Sequence, residues 1–412
     1  MNQRVQWGLI AAAYASLFAL GIADNARGPL FPEILRDLDL GDAAGSWMFG
    51  VTSAGVIVGS LLLRPLLRYV TPRRLLQLSL LGLGLGLIGL GQSGSLTHLL
   101  GASLVMGVAL GGLALGQNLL VQEATPLPLQ RRAFSGLHSM YGVASLLAPL
   151  AVTLSARAGL DWRQALLWLA LPCALVAIGT QFGRDGVPAE PLEAEPLERE
   201  PLEREPLERE PLEREPPADG PLEEHARPPM NMVLRGRLWT IAGMTGCCVV
   251  AELLLSTRIP LLLRRAGVPR ETADLYLSAF FACLLAGRLV VTFVPFRGVA
   301  NRTLLSISTA ASLGLFALGV AVEPRLLPLV ALTLAPCFPV ATALLAEEHP
   351  ALMERGMSLL MAVTSFLLVV AHVGVGYLSE EITLRSALWL GPIALLCSGG
   401  LQLLSARLAP KG

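Results

Sequence analysis

Charge is scarce in this chain. Only 15% of its 412 residues are Asp, Glu, Lys or Arg, where soluble globular chains carry about 25%. Much of that charge sits in one stretch, 188–227, so the remainder is poorer still. Lysine is almost missing, with Lys411 alone. The net charge is zero, which removes the electrostatic case for nucleic acid. Cys173, Cys247, Cys248, Cys283, Cys337 and Cys397 all lie in apolar runs without CxxC spacing or nearby histidine, and read as free thiols. Catalytic signatures are absent as well: there is no GxSxG, no HExxH and no phosphate loop with its lysine. The five histidines are dispersed. We therefore expect no enzyme, no cofactor, no metal site and no nucleotide-driven pump.

Apolar sequence dominates what is there. The chain is 53% hydrophobic, with a mean hydropathy of +0.61. Runs of roughly 18–25 residues recur, the length that crosses a bilayer core. Six lie between Trp7 and Phe182 and six between Leu238 and Ala406. A water-soluble core cannot hide so many helices that are apolar all round, whereas a bilayer can. The spacing predicts an all-α integral membrane protein of about twelve transmembrane helices, arranged as two pseudo-symmetric six-helix bundles. The bundles would span 1–182 and 238–412. The first run reads as an uncleaved helix rather than a signal peptide.

Between the halves, 183–237 reads as a disordered cytoplasmic linker. Pro-Leu-Glu-Arg-Glu repeats in tandem from Pro196 to Glu215. A proline every five residues forbids a regular helix, and alternating charges leave nothing to bury. The halves themselves look like copies. Gly59, Pro65, Arg73, Leu75 and Leu76 are matched at a nearly constant offset by Gly287, Pro295, Arg302, Leu304 and Leu305. Arginines near the span ends of the first half (Arg73, Arg74, Arg131, Arg132) place both termini in the cytoplasm. Arg258, Arg264, Arg265 and Arg270 run against that rule, as a cluster outside.

Ionisable groups inside spans are costly and mark functional positions. Asp24 and Arg27 stand three residues apart, on one face of the first span. Asn25 lies between them, and Gly28, Pro29 and Pro32 loosen the helix beyond. The pair is either an anchor at the membrane surface or a proton and substrate site. Glu252 in the seventh span has no charged neighbour at helical spacing, so it is a proton carrier or a carboxyl bonded to a neighbouring helix. Gln117, Asn118 and Gln122 in the fourth span are candidate solute contacts or helix-packing groups. So are His138, Tyr141 and Ser145 in the fifth, and Thr364, Ser365 and His372 in the eleventh. Arg288 follows Gly287 in the eighth and would pair with a carboxylate or a helix end. The glycines Gly82, Gly84, Gly86 and Gly89 predict close packing of the third span.

Taken together, the two six-span halves, the long central loop and the arginine-rich loop after span two resemble the major facilitator superfamily. Gly59, Arg64, Arg68, Arg73 and Arg74 of that loop echo the superfamily pattern G-x-x-x-D-R-x-G-R-R, without its Asp. Several stretches resemble the fucose–galactose–glucose proton symporters and related sugar permeases. They are Gly28–Pro32, Leu137–Gly142 with Ala148-Pro149, Glu252 through Ile259-Pro260, Gly287-Arg288, and Cys337-Phe338-Pro339. The resemblance implies that Asp24 is the proton-coupling acid of span one and that Phe338 lies near the solute. The Glu that those symporters carry in span four is replaced near Ala114.

The resulting expectation is a secondary transporter of the bacterial inner membrane working by alternating access. Asp24 and Glu252 would couple protons. Asn25, Arg27, Gln117, Asn118, Gln122, His138, Tyr141, Arg288, Phe338 and His372 would meet a polar solute such as a sugar or metabolite. Its partners would be that small molecule, protons and the lipid bilayer, with the chain acting as a monomer. Three rivals stand against it: a proton-antiport exporter of drugs or hydrophobic metabolites, a membrane enzyme, and a sensor or scaffold.

Overall fold

A computed structural model describes residues 5–63, 65–182, 232–294, 299–349 and 352–407. The tandem repeats, Arg64, Arg297 and Lys411 lie outside the described residues. Fourteen α-helices follow one another there: α1 (Trp7–Asp37), α2 (Asp42–Leu62), α3 (Pro72–Gly91), α4 (Leu96–Ala124), α5 (Leu127–Arg157), α6 (Trp162–Gly179), α7 (Met232–Arg265), α8 (Arg270–Phe293), α9 (Asn301–Ala321), α10 (Leu327–Leu334), α11 (Cys337–Glu348), α12 (Met353–Glu381), α13 (Leu384–Ala387) and α14 (Leu390–Arg407). They form twelve candidate membrane spans. The tenth span joins α10 to α11 and the twelfth joins α13 to α14. Helix α7 begins at Met232, inside the stretch expected to be linker.

Local chemistry fixes the helix ends. Asp161 caps α6 by accepting from the Gln164 amide at 2.8 Å, while the Gln164 side chain accepts from the Asp161 amide at 3.1 Å. This reciprocal box satisfies two orphan donors. Helices α5 and α7 both stop at a glycine with positive φ, Gly159 and Gly267. In each case the residue after the glycine donates back over a full turn, Leu160 to Ser155 and Val268 to Leu263, both at 3.0 Å. Helix α1 is continuous through Pro29 and Pro32. These prolines cannot donate to the carbonyls of Asn25 and Gly28, so the ladder lacks two donors without breaking.

The pairing of helices repeats between halves. Helix α2 lies on α4 as α8 lies on α10; α1 lies on α5 as α7 lies on α12; α3 lies on α6 as α9 lies on α14. Glycines set the separations. A Cβ on Gly59 would stand 2.2 Å from the Val108 carbonyl oxygen of α4, and one on Gly287 would stand 2.5 Å from that of Leu332 in α10. The matched glycines of the sequence repeat therefore serve matched helix contacts. In the expected glycine run, Gly82, Gly86 and Gly89 approach α4 closely, while Gly84 meets α6 at ordinary distance. Apolar side chains such as Leu61, Leu85, Trp168, Phe293, Phe366 and Leu403 cover the outside. That surface suits lipid, which asks only that the backbone be satisfied internally.

Between the halves, α1 meets α7, α2 meets α12 and α5 meets α8. Among the described residues, polar bonds across this seam gather at one end of the molecule, where α1 ends and α2 begins. We call it the distal face, opposite the face where α1 starts and α14 ends. Glu33 of α1 takes Arg264 at 2.7 Å and Arg270 at 3.1 Å. Asp42 of α2 holds Arg265 through both carboxylate oxygens, at 2.7 and 2.6 Å, and accepts from Ser379. Arg157 forks onto Glu271. The arginines that violate the loop rule are thus bound to acids of the other half. Arg258 is not in that outside cluster at all: it is fully buried inside α7.

Candidate functional site

Between the halves, beneath the distal seam, is a cavity of about 150 Å³. Its walls are Asp24, Asn25, Arg27 and Gly28 of α1, Phe49, Thr52, Ser53 and Val56 of α2, and Leu110 of α4. Leu253, Ser256 and Thr257 of α7 and Ser365, Leu368 and His372 of α12 complete it. Gly28 lets α1 approach α7 here, since a Cβ would stand 2.7 Å from the Ser256 carbonyl oxygen. Both halves therefore contribute walls, as an alternating-access site requires.

The polar groups of α1 are organised by neighbours. Arg27 Nη2 pairs with Asp24 Oδ1, and Nη1 donates to Thr52 Oγ1 at 2.9 Å. The Tyr141 hydroxyl donates to the other Asp24 oxygen at 3.2 Å. Asn25 donates to Ser145 Oγ at 3.0 Å and to its own helix at the Gly21 carbonyl. An aromatic ring stands at the centre of this cluster. Phe49 packs edge-on to Phe31 at 5.1 Å and stacks on His372 at 5.2 Å. The guanidinium groups of Arg27 and Arg258 lie 5.4 and 5.0 Å from its centroid. Arg258 also stands 4.6 Å from Phe31 and donates to Ser46 Oγ at 2.8 Å. Such cation–π contacts strengthen when water is excluded.

A second cluster lies beside the first. Glu252 Oε1 is 3.6 Å from Arg288 Nη2 of α8. Glu252 has no charged neighbour along α7, as expected; its charged partner comes from the next helix, invisible to spacing along one helix. Arg288 meets a carboxylate as expected. His138 lies within electrostatic reach of Arg288, and Tyr141 within reach of Glu252 as well as Asp24. Tyr141 thus bridges the surroundings of the two acids.

Several expected contacts fall elsewhere. Gln117 is buried and accepts weakly from Ser16 at 3.4 Å, holding α4 to α1. Asn118 donates to Ala114 on its own helix at 2.6 Å. Gln122 is exposed near the end of α4, and Phe338 is half-buried in the first turn of α11. None of these four lines the cavity. Sequence reasoning missed Phe49, Thr52, Ser53, Ser256 and Thr257. The hydroxyl pairs at 52–53 and 256–257 interrupt apolar runs, and Ser256 follows Glu252 by one turn, so a signal was present. Nothing in one dimension marked Phe49.

Comparison with known proteins agrees with this architecture. Residues 13–351 match the profile of the Major Facilitator Superfamily. A search of curated proteins found no match. Among solved structures, a bacterial homolog of the human lysosomal transporter Spinster, inward-facing and occupied, superposes with a TM-score of 0.72 at 12% identity, covering 98% of this chain and 97% of the other. A D-xylose–proton symporter gives a TM-score of 0.72 at 15% identity, covering 98% of each chain. The nucleoside transporter NupG gives 0.69 at 14% identity over 100% of both chains. At such identities the likeness concerns the fold. The family match, which covers most of the chain, makes this protein a multi-pass membrane transporter of the major facilitator superfamily and not an enzyme.

Proposed function

We propose that the chain is a proton-coupled carrier of a small polar solute, with Asp24 as the coupling acid. The observation that carries this reading is the cavity itself. It brings an ionisable pair, an amide, five hydroxyl side chains and a histidine to one place between the halves. An exporter of hydrophobic compounds would want an apolar cavity. Asp24 is suited to coupling because its bonds to Arg27 and Tyr141 are both made through its carboxylate oxygens. Protonation weakens the first and leaves the second, so the proton changes what the cavity presents. A solved D-xylose–proton symporter and a nucleoside transporter share the fold, which supports a polar cargo.

With both termini in the cytoplasm of a bacterial inner membrane, the distal seam would close the outside. The cavity would then exchange with the cytoplasm until the seam parts. The segment 183–237 would be the cytoplasmic tether between bundles 1–182 and 238–412, and the chain would act as a monomer.

The test uses full-length protein in sealed vesicles carrying a trapped pH dye. Sugars, nucleosides and small metabolites are added outside one class at a time. At least one should drive proton entry in the wild type, and Asp24→Asn should abolish that flux while retaining solute exchange. Proton exit on addition of hydrophobic cations, with no response to polar solutes, would overturn the reading.

A further inference from the structure

The charges around the cavity do not cancel. Asp24 and Arg27 form one neutral pair, and Glu252 and Arg288 form another. Arg258 is left over. It is 1% exposed, and among the described residues no carboxylate lies within 4.0 Å of it. The acid that feels it most, Asp42, is already held by Arg265 and Ser379. The Arg258 guanidinium rests on Phe31, Phe49 and Ser46, with Nη1 unbonded among the described residues. His372 is a second unmet demand. It is 3% exposed, lines the cavity, and its Nδ1 has no hydrogen-bond partner among the described residues. A buried cation without a counter-charge is expensive, and cation–π contacts offset only part of that cost.

Resting on the polar-solute reading above, we propose that the cargo is a small carboxylate, and that it competes with Asp24 for Arg27. The exchange balances in charge. One proton from water adds to an Asp24 oxygen, which ends the ion pair and leaves Tyr141 as that acid's partner. Arg27, still oriented by Thr52, then offers its freed Nη2 to the incoming carboxylate. One proton and one anion enter together, so the loaded site carries the same net charge as the empty one. Arg258 supplies the positive field that favours the anion, and Phe49 separates it from direct contact. The groups that meet Asp24 are Arg27 on its own helix and Tyr141 from α5; His372 of α12 lines the same cavity, Arg258 of α7 stands on the Phe49 ring, and Glu252 of α7 acts on Tyr141. Beyond Glu252 lies Arg288 of α8, with His138 near it. The volume suits a modest solute, since about 150 Å³ is room enough for a molecule the size of benzene.

Matched acid and neutral probes separate this proposal from its parent. Purified full-length protein is unfolded thermally with lactate or lactamide, benzoate or benzamide, nicotinate or nicotinamide, and gluconate or glucose, at pH 5.5 and 7.5. An acid should raise the midpoint by about 5 °C at saturation, and its neutral partner should not. Acid binding should strengthen towards pH 5.5 by up to about tenfold per pH unit, the limit for one linked proton. Arg27→Gln should abolish acid binding, and Asp24→Asn should keep it but flatten its pH dependence. If Arg27→Gln does not fold, Arg27→Lys should weaken acid binding about tenfold by losing the planar fork. Equal stabilisation by acid and neutral partner, no stabilisation by any acid, or acid binding that survives Arg27→Gln overturns the proposal. Stabilisation by the neutral partners together with solute-driven proton entry leaves the polar-solute reading standing. Stabilisation by tetraphenylphosphonium alone removes both.

Discussion

Glu252 reads differently once Arg288 is placed 3.6 Å away. An isolated intramembrane carboxyl would hold a proton, and a guanidinium beside it opposes that by favouring the charged form. Neither side chain is fully enclosed, with exposures of 16% for Glu252 and 31% for Arg288, so screening moderates the pair's worth. Glu252→Gln should lower stability by about 1–2 kcal/mol, part of it the cost of an arginine left without its counter-charge. Removing both charges should recover some of that loss. Thermal unfolding of the two single variants and the double gives the coupling directly, and strictly additive losses would show that the residues do not interact. Phe49 makes a different point at the same scale. One apolar ring orders two arginines and a histidine about the cavity, a role that no polar-residue search along the chain would assign to it.

At the level of helices, two kinds of contact divide the labour. The glycine seams of α2 on α4 and of α8 on α10 bring backbones together with no room for a side chain. Such seams favour halves that move as units. The α2–α12 seam is different, because its distal end is polar. There Asp42 receives Ser379 of α12 together with Arg265 from the end of α7, and Glu380 of α12 accepts from the Ala43 amide at 2.9 Å. These are bonds that can be exchanged for water when the seam opens. Asp42→Asn should therefore favour opening, by about 1–2 kcal/mol given that Arg265 is 47% exposed. Hydrogen exchange should quicken at the start of α2 and at the end of α12, while the glycine seams stay protected. Unchanged exchange at 42–46 and 376–381 would show that Asp42 does not hold the distal face.

For the molecule as a whole, the twelve spans, the paired halves and the charged pair in α1 were legible in sequence, because apolar run length and intramembrane charge are one-dimensional signals. Residue roles that depend on partners from other helices were not. Glu33 and Asp42 went unmarked because they sit at span ends, where acids are ordinary, and only the fold brings Arg264, Arg265 and Arg270 to them. The same arginines run against the expected orientation, because the positive-inside count weighs basic residues without asking what faces them. Arg258 was grouped with them by proximity along the chain, although α7 carries it inward. Gln117 and Asn118 looked like solute contacts because amides at depth are rare, yet they bond to Ser16 and to their own helix. The proline-rich repeats offer no apolar face for either half to use. Deleting 191–216 should leave the melting temperature and solute-driven proton flux unchanged. A fall in either would show that the repeat does more than tether.

The distal seam has an uneven arrangement of sign. Glu33 and Asp42 come from the first half, and Arg264, Arg265 and Arg270 from the second. Arg157 on Glu271 is the one bridge described there that runs in the opposite sense, so the attraction is mostly of first-half acids for second-half arginines, and dissolved ions compete with it. Screening reaches about 8 Å at 0.15 M salt and shortens as salt rises, acting most on Arg265, the more exposed partner. Salinity on the distal side becomes a dial on the resting state. With the distal face outward, as proposed, a cell in dilute medium would hold its carrier shut on that side between cycles, and the same carrier in brine would rest nearer to open.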